Sequence, residues 1–166
     1  MSEQRRAPSK GQLSRHAARE LAVQGLYQWQ LTGKSIGTVE AEFRSQVADD
    51  DLEDHENWHK VMEIADLALF HDLLQGVVRH REELDRAIAP LLDRRLEDLD
   101  AIELAILRLG AYELSKRLEV PYRAVINEGV ELAKSFGATE GHKYVNGILD
   151  KLAVRLRSAE VAARRR

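Results

Sequence analysis

Cysteine is absent from the 166-residue chain, so no disulfide frame supports it and stability must come from packing, as in a reducing cytoplasm. Proline occurs three times and glycine ten times, which leaves long uninterrupted runs and favours helix over a turn-rich β fold. No apolar run approaches the roughly 18–20 residues of a membrane span. The N-terminus MSEQRRAPSKG lacks the apolar centre of a signal peptide. These absences point to a soluble, cytoplasmic protein.

What is present fits one globular domain. An apolar fraction of 44% builds a core in a chain of this length, and the 32% charged fraction suits solvated helix faces. The net charge of −3 hides an uneven distribution. Arg5, Arg6, Lys10, Arg15 and Arg19 stand near the N-terminus against Glu3 alone. Asp49, Asp50, Asp51, Glu53, Asp54 and Glu56 form an acidic run. Arg155, Arg157, Arg164, Arg165 and Arg166 close the chain against Glu160. Such asymmetry suits an anionic partner met through a local patch.

The helical period dominates, with no internal repeat. Ser14 is expected to cap a first helix that buries Ala18, Leu21, Ala22, Gly25, Leu26 and Trp29. Gly33 and Gly37 are expected to break the chain, and Thr38 to cap a second helix with Val39, Phe43 and Val47 inward. One longer helix follows, with Ile64, Leu67, Phe70, Leu74, Val77 and Val78 as its stripe. Another carries Leu84, Ile88 and Leu91, distorted by Pro90. Asp100 and Glu103 form a capping-box-like pair opening a helix that buries Ile102, Ala105, Ile106, Leu109 and Tyr112. Pro121 starts the next, with Ile126, Val130 and Ala133 inward and Gly137 as its stop. Thr139 caps the last, which buries Val145, Ile148, Leu149 and Leu152. The expectation is an all-α bundle of about seven helices without a sheet. Residues 1–11 are read as a disordered basic tail, 12–157 as a single helical domain and 158–166 as a basic C-terminal tail.

Three groups of residues suggest contacts. Arg15 and Arg19 are one helical turn apart near a helix N-terminus, with Lys10 and His16 as further donors, an arrangement that suits phosphate. The entry to the last helix offers Glu140, Lys143, Tyr144 and Asn146, where small neighbours admit a nucleic-acid backbone and the tyrosine can stack on an unpaired base. His16 at its reference pKa of about 6.5 is expected to strengthen binding of such an anion modestly as pH falls. Tyr27, Leu31, Arg94, Glu97 and Glu103 are polar or exposed by periodicity and suit a protein-binding face.

One motif points to different chemistry. His55-Glu56-Asn57-Trp58-His59 fits H-E-x-x-H, whose two histidines hold zinc while the glutamate acts as base, with Glu82 or Glu83 as a third ligand. The surrounding acidic run and the lack of a second catalytic motif make it a minor alternative. His71 and His80 share no clean helical face. The glycines are dispersed, so no phosphate loop emerges. The reading is of a protein without a metal, cofactor or catalytic residue.

Several stretches resemble one family. They are Ala18-Arg19-Glu20, Leu26-Tyr27-Gln28-Trp29, Tyr112-Glu113-Leu114-Ser115-Lys116-Arg117, Val120-Pro121-Tyr122, Ile126-Asn127-Glu128, Leu132-Ala133-Lys134-Ser135-Phe136-Gly137 and Lys143-Tyr144-Val145-Asn146-Gly147. Together they resemble the bacterial transcription antitermination family NusB across most of residues 15–153. The resemblance implies an all-helical RNA-binding adaptor without catalysis. It implies boxA RNA of nascent rRNA transcripts as ligand, met by the arginine-containing N-terminal segment and by Lys143, Tyr144 and Asn146, with Glu140 nearby. NusE, a small-subunit ribosomal protein, is the implied partner on the Tyr27, Leu31, Arg94, Glu97 and Glu103 side, within an RNA polymerase antitermination complex. Here His16 and Ala17 interrupt the denser arginine run usual in the family. An RNA-targeting domain of an rRNA cytosine methyltransferase is the other implied reading, disfavoured because no catalytic domain follows.

Overall fold

Ser9, rather than Ser14, opens the first helix. Its hydroxyl accepts from the Gln12 N–H at 3.1 Å, and the Gln12 side chain accepts from the Ser9 N–H at 2.7 Å. This reciprocal box satisfies two helix-end donors and starts α1 at Lys10, so two residues expected in the tail are helical. The computed structural model describes residues 7–45, 55–136 and 141–164, the side chains of residues 55–59 excepted. Helix α1 (Lys10–Thr32) ends at Gly33, whose φ of 71° is the left-handed conformation that glycine adopts without a Cβ penalty.

Helix α2 (Ile36–Ser45) takes Ser35 as its cap, with the Ser35 hydroxyl accepting from the Thr38 N–H at 3.2 Å. Thr38 is therefore the third residue of the helix and not its cap, and Gly37 lies inside it. Val39 and Phe43 are buried as expected, Phe43 stacking on Phe70. The single long helix expected next is two, α3 (His55–Ile64) and α4 (Leu67–Arg79). Asp66 divides them: its carboxylate accepts from the Leu69 N–H at 3.0 Å, and its own N–H donates to the Ser14 carbonyl of α1 at 3.1 Å. Ile64, placed in the buried stripe by periodicity, is 51% exposed because the break ends that stripe. Helix α5 (Arg81–Ile88) runs into a 3-10 turn at Pro90, as its proline suggests.

Helix α6 (Ala101–Lys116) is the axis of the bundle. Asp100 caps it by accepting from the N–H groups of Ile102 at 2.9 Å and Glu103 at 3.3 Å. Every residue from Ala105 to Leu114 is buried, since α1, α4, α5, α7 and α8 pack around it. Pro121 opens α7 (Tyr122–Ser135), and α8 (Gly141–Leu156) returns beside it. Gly110 of α6 and Gly129 of α7 both face Leu149 of α8, where an added Cβ would lie 2.5 Å from the leucine. Their small size lets three helices approach closely. The expected stop at Gly137, the expected cap at Thr139, Val47, and the acidic run before His55 lie outside the described residues.

The segment expected as a C-terminal tail is a helix, α9 (Ser158–Arg164), anchored by buried Val161. Arg157 precedes it and is 6% exposed. Its guanidinium donates to the carbonyls of Leu114 at 2.7 Å, Val120 at 2.9 Å, Glu113 at 3.1 Å and Arg117 at 3.0 Å, and to Glu160 at 2.7 Å. A cation placed against carbonyls at a helix C-terminus complements the helix dipole. Arg157, the last residue of the expected domain, is therefore a structural cation that ties the C-terminus to the end of α6. Nine α-helices and no strand occur among the described residues: the break at Asp66 and the folding of α9 account for the two beyond seven.

Candidate nucleic-acid interface

Packing divides the expected RNA residues. Arg19 sits on the same stripe of α1 as buried Ala22 and Leu26 and is itself 5% exposed. It faces Glu113 of α6, 2% exposed, and donates Nε to both carboxylate oxygens at 3.1 Å and Nη2 to one at 2.8 Å. A buried carboxylate requires such a partner. Arg19 is thus committed to the interior and withdrawn from the expected phosphate contacts. Its spacing from Ala22 and Leu26 was the available signal.

His16 is also committed. Its Nδ1 lies 2.8 Å from Glu128 of α7 and its Nε2 lies 2.8 Å from Glu20. The hydrogen bond to Glu128, then that to Glu20, raise its pKa to about 10 against the opposing effect of burial. Burial, the largest single influence, works against the charge on Glu128, but the bond from His16 together with the charges of His16, Arg19 and Arg15 holds that carboxyl below its ordinary range. The imidazole therefore stays protonated through neutral pH, which removes the expected titration near 6.5. With two carboxylates around one cation, His16 adds no net positive charge to this edge.

Lys10 and Arg15 remain exposed on α1. Arg15 borders a cavity of about 500 Å³ shared with Gln12, Arg117, Pro121 and Glu128. Arg117, on the turn between α6 and α7, is held by Asp72 at 2.7 Å and Glu119 at 3.1 Å. The exposed cations at this end of α1 are thus fewer than the sequence suggests.

The second group lies at the other end of the bundle. Helix α1 runs against α6, with Arg19 at Glu113 and the Gln30 amide donating to the Ala101 carbonyl at 2.8 Å. Helix α8 runs alongside α6, with Leu149 at the level of Gly110. At 1.5 Å rise per residue, Tyr144 and Arg15 are separated by roughly 18 Å along the bundle axis. Lys143 and Asn146 are exposed and Tyr144 is half-buried. Tyr144 donates its hydroxyl to Asp93 at 2.9 Å, and the Arg94 guanidinium lies 4.7 Å from its ring centroid. Asp93, unmarked by any motif, is the residue that sequence reasoning missed; its partner is 51 positions away. Glu140 lies outside the described residues.

The expected partner residues gather at the same end as Tyr144. Tyr27 is half-buried and Leu31 is 60% exposed at the end of α1. Nearby, Trp29 has the guanidinium groups of Arg81 and Arg108 at 5.9 and 5.6 Å from its ring. Glu97 is exposed, 4.0 Å from Arg95. Glu103 is half-buried; burial, then the neighbouring Asp100, push its pKa up, while Arg94 opposes them. Arg94 therefore adjoins both groups. His55, Glu56 and His59 fall at the start of α3, their side chains outside the described residues. Glu83, proposed as a third metal ligand, instead pairs with Lys116 at 3.1 Å.

Fold and surface together define an all-helical module with two separated polar edges, one at the start of α1 and one where α1 ends and α6 and α8 begin. Residues 16–154 match the NusB family. The chain is 79% identical to the transcription antitermination protein NusB of Chromohalobacter salexigens, over all of both chains. It is 53% identical to that of Marinomonas sp., covering 95% of this chain and 84% of the relative. This chain belongs to the NusB family. Among solved structures, Thermotoga maritima NusB shares the fold at a TM-score of 0.65 and 22% identity, over 90% of this chain and 92% of that one. A NusB solved with NusE and double-stranded RNA aligns at a TM-score of 0.60 and 29% identity, over 82% of this chain and 93% of that one.

Proposed function

We propose that this chain is a cytoplasmic, non-catalytic transcription antitermination factor that binds boxA RNA of nascent rRNA transcripts together with NusE, within an RNA polymerase antitermination complex. The full-length 79% identity to a transcription antitermination protein NusB carries this reading. The complex of a related NusB with NusE and RNA supports the choice of partners. Lys10 and Arg15 form one RNA edge, and Lys143, Tyr144 and Asn146 form the other. A stacked strand advances about 3.4 Å per nucleotide, so at least about five nucleotides are needed to span the roughly 18 Å that separates the edges along the bundle axis. NusE takes the face of Tyr27, Leu31, Glu97 and Glu103.

A gel-shift titration with boxA RNA, with and without NusE, tests the proposal. Lys10→Ala with Arg15→Ala weakens binding and flattens its salt dependence while leaving the helical circular dichroism unchanged. Equal binding by wild type and the double variant removes the start of α1 from the interface.

A further inference from the structure

Asp93 and Arg94 enter from the segment between α5 and α6, yet they close around a side chain of α8. The Tyr144 hydroxyl donates to Asp93 Oδ1 at 2.9 Å, and the Asp93 N–H points back to the hydroxyl at 3.4 Å. Arg94 donates Nε to Asp93 Oδ1 at 2.7 Å and Nη2 to Oδ2 at 3.2 Å, while its guanidinium carbon lies 4.7 Å from the Tyr144 ring centroid. Phenol, carboxylate and guanidinium thus form a closed loop of three side chains.

We propose that Asp93 and Arg94 are positioning residues of the RNA edge, holding the Tyr144 ring as a one-sided platform for an unpaired base. This rests on the reading of Tyr144 as an RNA contact. The hydroxyl is engaged by Asp93, which leaves the ring as the recognition surface. Arg94 lies over one ring face and the half-buried ring also packs against the core, so a base stacks on the part of the opposite face that stays open. Stacking on an aromatic ring is sequence-tolerant and gains from a ring that is already ordered, because immobilising a mobile side chain opposes binding. Arg94 has its charge answered by the two oxygens of Asp93, so it acts through the ring and not as a phosphate anchor. It moves from the partner face to the RNA edge, although its charge also reaches Glu103.

The test measures affinity of the full chain for a short single-stranded boxA RNA across a salt series, with melting curves as a folding control. Tyr144→Ala weakens binding about tenfold, within the range for loss of one base stack. Arg94→Ala weakens it about threefold, the scale of an exposed cation–π contact, without changing the salt slope. Arg94→Lys fails to rescue, because an ammonium restores charge without the flat fork. Tyr144→Ala combined with Arg94→Ala binds no more weakly than Tyr144→Ala alone, since both act through one ring. Rescue by lysine, or a salt slope reduced by about 0.7 in Arg94→Ala, makes Arg94 a phosphate anchor and overturns the proposal. So does an Arg94→Ala effect on NusE affinity alone. If Tyr144→Ala binds like wild type, the reading of Tyr144 itself fails. A weakened Tyr144→Ala beside an unchanged Arg94→Ala sinks only the positioning role.

Discussion

Arg157→Ala removes a single side chain near the C-terminus and should destabilise the whole bundle. Four backbone carbonyls, on Glu113, Leu114, Arg117 and Val120, lose a charged donor at once, and Glu160 loses its cation. A hydrogen bond involving a charged group contributes about 1.5–3 kcal/mol, but bonds sharing one guanidinium are not additive. Each buried acceptor left without a donor costs about 1–3 kcal/mol, so the non-additive total is about 3–5 kcal/mol, a large share of the roughly 5–15 kcal/mol that stabilises a domain. For a chain of this size each kcal/mol lowers Tm by about 2–4 °C, so the expected fall is about 10 °C. Circular dichroism melting at 222 nm measures it. Arg157→Lys recovers little, because one ammonium cannot reach carbonyls spread over residues 113–120. A melting temperature within about 2 °C of wild type refutes the reasoning; a loss of RNA affinity at unchanged Tm would make Arg157 an RNA contact and not a structural residue.

Arg19→Ala should destabilise by about 3–5 kcal/mol in urea melts by orphaning buried Glu113, while Arg15→Ala leaves stability within about 0.5 kcal/mol. His16 has its folded pKa near 10, above its unfolded value, so its pairing stabilises fully below about pH 6.5 and is lost as pH rises through 10. The difference in Tm between wild type and His16→Gln should therefore shrink between pH 7 and 10, and RNA affinity should gain no His16-dependent step near pH 6.5. Gly76→Ala forces a Cβ into the Tyr112 ring, whose hydroxyl bonds Asp72 at 3.1 Å, and should cost about 1–3 kcal/mol by denaturant melting. Gly147→Ala, with open space at its Cβ, should stabilise by up to about 1 kcal/mol.

The all-helical class and most buried stripes were legible because a period of 3.6 repeats locally: Leu21, Phe70, Ile106 and Leu149 all lie where it put them. Helix ends were less legible. Ser9 and Ser14, or Ser35 and Thr38, are equally good caps on paper, and the choice rests on which hydroxyl meets an N–H. The charged residues misled most. Arg15 and Arg19 look alike along one helix, and only the arrival of Glu113 from α6 separates them. Arg157 reads as one of a run of terminal arginines until the end of α6 is folded against it. The Tyr144–Asp93 pair, like His16 with Glu128, joins positions too distant in the chain for any local pattern to reveal.

The central claim is that RNA and NusE are held together by this chain through adjoining edges, and a thermodynamic cycle at fixed salt tests it most directly. RNA affinity is measured for the chain alone and for its NusE complex, and NusE affinity with and without boxA RNA. The account predicts weak RNA binding by the chain alone, because few exposed cations face the RNA, and tighter binding by the complex. Reciprocity requires RNA to tighten NusE binding by the same factor. Identical RNA affinities with and without NusE would contradict the account.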